Sequence, residues 1–227
     1  MYKNQKVFFE NLKKKKFKGT WKYQKKLLNI ILNILFYNRY FQKQLKIIPN
    51  YLLIVEHSNV YTLGRRGFYK NLLFNKNKIP IYKIDRGGDI TYHGPGQLVC
   101  YPIIYIKNLS LEIKKYFRLL EEVIIQLIFN FLIKGYSKLT GVWVKNRKIC
   151  AIGIKISRLV TMHGLALNVN TNLHYYNNII PCGIKNKGVT SIKKESIKKE
   201  KKKIVSMYKV IFFLKKKLNY IFNIKFI

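Results

Sequence analysis

RGGDITYHGPGQ, residues 86–97, sets two pairs of glycines on either side of a short polar strand. A tight turn needs one or two glycines. Four of them in twelve residues, with a proline, a histidine and an arginine, make a backbone that a ligand can approach closely. The segment fails the phosphate-cradle patterns: it has no G-x-G-x-x-G spacing, and no Gly-Lys-Ser/Thr follows. It runs straight into Leu98–Tyr105 (LVCYPIIY), apolar and β-branched enough for a strand, with Pro102 marking an edge or a bulge. A ligand-binding loop held between strands is the expectation.

Working outward, Asn50–Glu56 (NYLLIVE) reads as a buried strand, residues 71–78 as a polar loop, and Pro80–Asp85 as another short strand. Leu27, Leu28, Ile31, Leu32 and Leu35 recur at helical spacing, so an amphipathic helix precedes residue 45. A second helix is expected from Ser110 to Lys134, capped by Ser110, striped by Ile113, Phe117, Leu120, Ile124, Leu127 and Phe131, and ended by Gly135. Strands are expected at Gly141–Val144, Lys148–Ile156 and Met162–Val169, followed by irregular chain over Tyr175–Thr190. Lys193–Lys203 reads as a basic, solvated connector, and residues 205–222 as a last helix. With no internal repeat, this order predicts an α+β (α/β mixed) fold, a mixed β-sheet with flanking helices, in one domain over residues 1–227.

The 45 Lys+Arg against 9 Asp+Glu leave a formal net charge of +36. Such a surface attracts nucleic acid, anionic membrane or an acidic protein. The lysines are spread among Ile, Asn, Tyr and Phe, a mixture that A/T-rich codons specify, so the charge alone names no function. Cys100, Cys150 and Cys182 have no C-x-x-C spacing and fit a reducing compartment. The N-terminus lacks the apolar stretch of a secretory signal, and the run 27–37 is too short to span a bilayer. A soluble cytoplasmic protein is expected, with an organelle left open.

Arg147–Ile156 (RKICAIGIKI) carries three cations on a strand. Arg147 and Lys155 read as solvated charges; Lys148 differs because an apolar run begins directly after it. Cys150 reads as a small core residue. His93 and His163 each neighbour a glycine-bearing strand, which makes them pocket-lining candidates, and no His/Cys/Asp cluster has metal-ligand spacing. Cys182 lies in a loop between Pro181 and Gly183. A nucleophilic cysteine needs exposure, uncrowded neighbours and a cation that favours the thiolate. The loop supplies the first two, and Lys148 or the histidines are candidates for the third.

At these residues the sequence resembles the lipoyl(octanoyl) transferase family. The resemblance rests on EHSNVYTLGRRG (Glu56–Gly67), RGGDITYHGPGQLVCYP (Arg86–Pro102), GVWV followed by KICAIGIKI (Gly141–Ile156), HGLALNVN (His163–Asn170) and PCGIKNKGVTSI (Pro181–Ile192), in the family's order over most of residues 50–192. It implies a catalytic domain like that of biotin and lipoate protein ligases. It further implies an acyl-thioester nucleophile at Cys182 and a catalytic lysine at Lys148, not Lys155. Substrate-contacting positions are implied at Arg86, Gly87, Gly88, Asp89, Ile90, Thr91, Tyr92, His93, Ala151, Ile152, Gly153, Gly164, Leu165 and Ala166.

The implied reaction transfers octanoate from octanoyl-acyl carrier protein to a lysine of lipoyl domains, those of 2-oxoacid dehydrogenases and of the glycine cleavage H protein. Lys148 as an ammonium would lower the Cys182 thiol from about 8.5 toward neutrality. Neither half-reaction needs ATP, a metal or another cofactor. A monomer is expected, with no membrane span and no specific nucleic acid. One rival is an ATP-dependent lipoate or biotin ligase on the same fold, which needs no cysteine. The rival from another class is a basic nucleic-acid-binding module, which predicts a grouped basic and aromatic motif that the sequence lacks.

Overall fold

In Tyr51–His57, Leu52 and Ile54 turn to one face of a strand while Leu53 and Val55 turn to the other, and all four are buried. Gln97–Ile103 repeats the pattern, with Leu98 and Cys100 opposite Val99 and Tyr101. A sheet buried on both faces must carry helices on both. The computed structural model describes residues 4–73, 79–183, 187–196 and 204–227, with only the backbone of Cys182.

Its elements in chain order begin with β1 (Lys6–Lys15), α1 (Phe17–Tyr40), β2 (Tyr51–His57), β3 (Val60–Leu63), β4 (Ile81–Lys83), β5 (Ile90–His93) and β6 (Gln97–Ile103). Then follow α2 (Ile113–Phe129), β7 (Tyr136–Ser137), β8 (Gly141–Val144), β9 (Arg147–Ser157) and β10 (Val160–Asn168). The chain closes with β11 (Gly188–Val189), α3 (Ile192–Ser196), α4 (Met207–Phe222) and β12 (Lys225–Phe226). The main sheet runs β12-β1-β2-β6-β10-β9-β8-β7, with β11 added beside β9. It is mixed: β1 pairs in parallel with β2 and β12, while β2-β6-β10-β9-β8-β7 is antiparallel throughout. A small second sheet has the order β4-β3-β5.

One face of the main sheet is covered by α2 and α4, through Leu120, Ile124, Leu127, Leu214 and Leu218. The other is covered by α1, through Leu27, Leu28 and Ile31. The mixed sheet with flanking helices is the architecture expected. No helix among the described residues is long and apolar enough to cross a membrane.

Four local expectations change. The second helix starts at Ile113, because Ser110 adopts a left-handed conformation (φ 54°) that closes a 3-10 turn over Ile106–Leu109. It ends at Phe129, before Gly135, where the Asn130 side chain bonds the carbonyls of Gln126 and Leu127. Pro102 lies in an interior strand, not at an edge. The β10 ladder on β6 stops at Cys100, so Pro102 sits where that ladder has ended. The basic connector opens with α3 over Ile192–Ser196, and residues 197–203 lie outside the described chain.

Candidate active site

The RGGD loop is held to its neighbours by backbone bonds. Arg65 N–H donates to the carbonyl of Arg86 (3.0 Å), Gly64 N–H to that of Asp89 (3.3 Å), and Gly87 N–H to that of Ile154 on β9 (3.2 Å). The Arg86 guanidinium, buried, donates to the carbonyl of Thr62 (2.7 Å) and to Thr62 Oγ1 (3.0 Å). Gly153 permits this closeness. A Cβ there would lie 3.0 Å from Arg86 Cδ and 3.3 Å from the carbonyl oxygen of Gly87.

Beneath the loop, Ala151, Ile152 and Gly153 of β9 pair with Ala166, Leu165 and Gly164 of β10. Two stretches that are separate in sequence are thus one two-stranded floor. Arg86, Gly87, Gly88, Asp89, Thr91 and His93 form one wall of a cavity of about 590 Å³. Its floor is Ala151–Gly153 and Gly164–Ala166, with Lys148 and His163 also lining it. Ile90 and Tyr92 do not line it. The alternation of β5 turns them to the opposite face, into a cluster with Tyr61, Leu63, Tyr176 and Ile179.

Lys148 is buried on β9; its Nζ donates to the Thr140 carbonyl (3.5 Å) and lies 5.0 Å from the centroid of the Trp143 ring. Cys182 sits in a short 3-10 turn, Pro181–Gly183, packed against β5, and its side chain lies outside the described atoms. Gly183 N–H donates to the carbonyl of Ile180 (3.0 Å), and Ile180 N–H to that of Asn71 (2.8 Å). Asn71 Nδ2 in turn donates to Asp89 Oδ2. Beyond the turn, Val189 on β11 pairs with Lys148, and Thr190 N–H donates to the Lys148 carbonyl (2.9 Å). The turn of Cys182 is therefore fastened to the RGGD loop on one side, and the chain beyond it to the strand of Lys148.

Burial disfavours the cationic form of both pocket histidines. A guanidinium only donates, so Thr62 Oγ1 accepts from Arg86 and gives its own proton to His93 Nε2 (3.2 Å); His93 Nδ1–H then donates to Gln97 Oε1 (2.8 Å). Burial, with His57 as a further repulsive neighbour, pushes the His93 pKa down to about 3. Burial also lowers His163, against the opposing pull of Asp85, which accepts from His163 Nε2 at 2.9 Å. The candidate partner for a Cys182 thiolate narrows to Lys148.

Arg147 and Lys155 are not solvated charges. Lys155 Nζ lies 2.6 Å from Asp85 Oδ2, tying β9 to the residue before the RGGD loop, and Arg147 pairs with Glu195 at 2.8 Å. Cys100 and Cys150 are fully buried, and desolvation pushes both thiols far above their ordinary range. Among the described residues, no group of three or more His, Cys, Asp or Glu could hold a metal ion.

Several lining residues carry no sequence signal of a pocket. Arg66, Lys114, Arg118 and Thr140 stand at the exposed mouth, and Phe17 and Tyr101 in the buried interior. Arg66 and Tyr101 stand inside the stretches Glu56–Gly67 and Arg86–Pro102 already quoted; the others become neighbours only through the fold.

Residues 32–212 match the family model of the lipoyl protein ligase A/B catalytic domain. The chain is 48% identical to the octanoyltransferase of Flavobacterium psychrophilum over 204 residues, covering 85% of this chain and 88% of that one. It is likewise 48% identical to the octanoyltransferase of Flavobacterium johnsoniae, with the same coverage. Among solved structures, lipoate-protein ligase A bound with ATP shares the fold at a TM-score of 0.69 and 14% identity, over 99% of this chain and 87% of that one.

Proposed function

The chain belongs to the lipoyl protein ligase A/B catalytic domain family, among its octanoyltransferases, and we propose that it works through a thioester on Cys182. The donor in this reading is octanoyl-acyl carrier protein, and the acceptor is a lysine of a lipoyl domain. Lipoyl domains of 2-oxoacid dehydrogenases and the glycine cleavage H protein are the expected acceptors, met by a monomer in the cytoplasm.

The observation that carries this reading is one shared cavity. Lys148 and the RGGD loop line it together, and the turn of Cys182 is seated against that loop. In the first half-reaction the Cys182 thiolate attacks the octanoyl carbonyl. The carrier's thiolate leaves and takes a proton from Lys148. In the second, the acceptor's neutral ε-amine attacks the thioester, Cys182 leaves as thiolate, and the proton lost by nitrogen returns to Lys148. Exchange of one thioester for another is nearly balanced, and thioester to amide runs downhill, so no nucleotide, metal or other cofactor enters either step.

An ATP-dependent ligase on the same fold would activate free octanoate instead. The 48% identity to octanoyltransferases weighs against it, whereas the likeness to lipoate-protein ligase A extends only to the fold. Supplying a lipoyl domain with octanoyl carrier protein alone, or with octanoate plus ATP, separates the two. Octanoylation is expected in the first mixture; modification only in the second would sink the transferase reading.

A further inference from the structure

The cavity has a direction. Its lining residues Arg66, Lys114, Arg118, Leu139 and Thr140 are exposed, whereas Phe17, Ile84, Val99 and Tyr101 are buried to 5% exposure or less. Lys148 reaches toward the exposed end through the Thr140 carbonyl, and the turn of Cys182 meets the cavity wall at Asp89. A chain whose carbonyl lies between those two therefore points its tail inward.

At the inner end the polar atoms of the lining residues Tyr101 and His93 are already engaged, which leaves the tail carbon surface there. His57 Nδ1–H donates to the Lys15 carbonyl (2.9 Å), which leaves His57 Nε2 to accept from the Tyr101 hydroxyl (2.9 Å). His93 has spent both ring nitrogens on Thr62 and Gln97. The Phe17 ring stacks parallel to His93 (centroids 6.3 Å apart, 4° between planes). It also packs at 5.4 Å against both His57 and Tyr82.

We propose that Phe17, from the first turn of α1, closes the inner end of the acyl channel and sets the length of chain the enzyme accepts. The inference rests on the acyl-transfer reading above and deepens it. α1 packs on the sheet face formed by β6 and β10, so the stop for the chain is built by a helix far in sequence from every residue of the reacting centre. Phe17 is wedged between rings with no described polar bond to satisfy, so trimming it lengthens the channel without stranding a buried donor or acceptor.

The experiment measures Cys182 acylation by intact mass, and its rate, with octanoyl, decanoyl and dodecanoyl carrier protein. The proteins are wild type, Phe17→Ala and the milder Phe17→Leu, each first checked for a cooperative melt. One methylene too many in an apolar pocket discriminates by about ten-fold or more. The dodecanoyl-to-octanoyl rate ratio should therefore rise at least about ten-fold in Phe17→Ala, and by a smaller factor in Phe17→Leu. Should Phe17→Ala not fold, the shift in Phe17→Leu decides. If octanoyl acylates wild type and the ratio stays unchanged in every folded variant, Phe17 does not set the length. If no donor acylates wild type at all, the transferase reading fails, and this inference with it.

Discussion

Gly183→Ala probes how the turn of Cys182 is seated. Gly183 has φ +68°, a left-handed backbone that costs a residue with a Cβ about 1–2 kcal/mol. The added methyl would also fall 2.7 Å from Asp89 Oδ2 and 3.6 Å from Asn71 Nδ2. Asp89 has little freedom to yield, because Oδ1 accepts from the N–H of Ile90 (2.6 Å) and Oδ2 from Asn71. Losing one of those bonds costs about 1 kcal/mol more. The sum, about 2–3 kcal/mol, lowers the melting temperature of a domain this size by roughly 4–12 °C. A shift of the turn by even an ångström also costs about a hundred-fold in rate. Calorimetry reads the first effect, and single-turnover acylation of Cys182 by octanoyl carrier protein reads the second. Gly183→Ala acylated at the wild-type rate with an unchanged melt would refute the seating of the turn on Asp89.

Replacing Lys148 by alanine should slow iodoacetamide alkylation of Cys182 at pH 7 by roughly five- to ten-fold, because less thiolate forms. Identical alkylation rates would remove Lys148 from the activating role. Acid should weaken the fold through its buried histidines. His57 and His93 have pKa values lowered to about 4 and about 3 from 6.5. Below pH 6.5 the unfolded chain binds protons that the folded one refuses, so their contribution is complete above pH 6.5 and falls toward pH 4. At pH 5 each has cost about 2 kcal/mol, which urea unfolding at pH 7 and pH 5 would show; equal stabilities would mean the rings protonate in place.

Where the sequence pattern was strong, it located the elements. LLIV and LVCY, apolar at every position, describe strands buried on both faces, and the structure covers both. β1 has no strand signature of its own, because KVFFENLKKK buries little beyond Val7; backbone pairing to β2 and β12 makes it a strand. Lys155 looked solvated because its partner, Asp85, lies 70 residues away, and nothing local to either reveals the pair. In the RGGDITYH stretch, the sequence alone does not separate the residues that line the cavity from those that face away. Only the β5 ladder turns Ile90 and Tyr92 away while Thr91 and His93 face the cavity. Phe17 carried no signal, since an aromatic at the start of a helix reads as ordinary core until the fold stacks it on His93.

The claim that matters most is that the octanoyl group rests on Cys182. Intact mass after mixing with octanoyl carrier protein, without acceptor, tests it directly. Wild type should gain one octanoyl group, and Cys182→Ser, with an unchanged melt, should gain none and should not octanoylate a lipoyl domain. Transfer by Cys182→Ser at the wild-type rate would contradict the account.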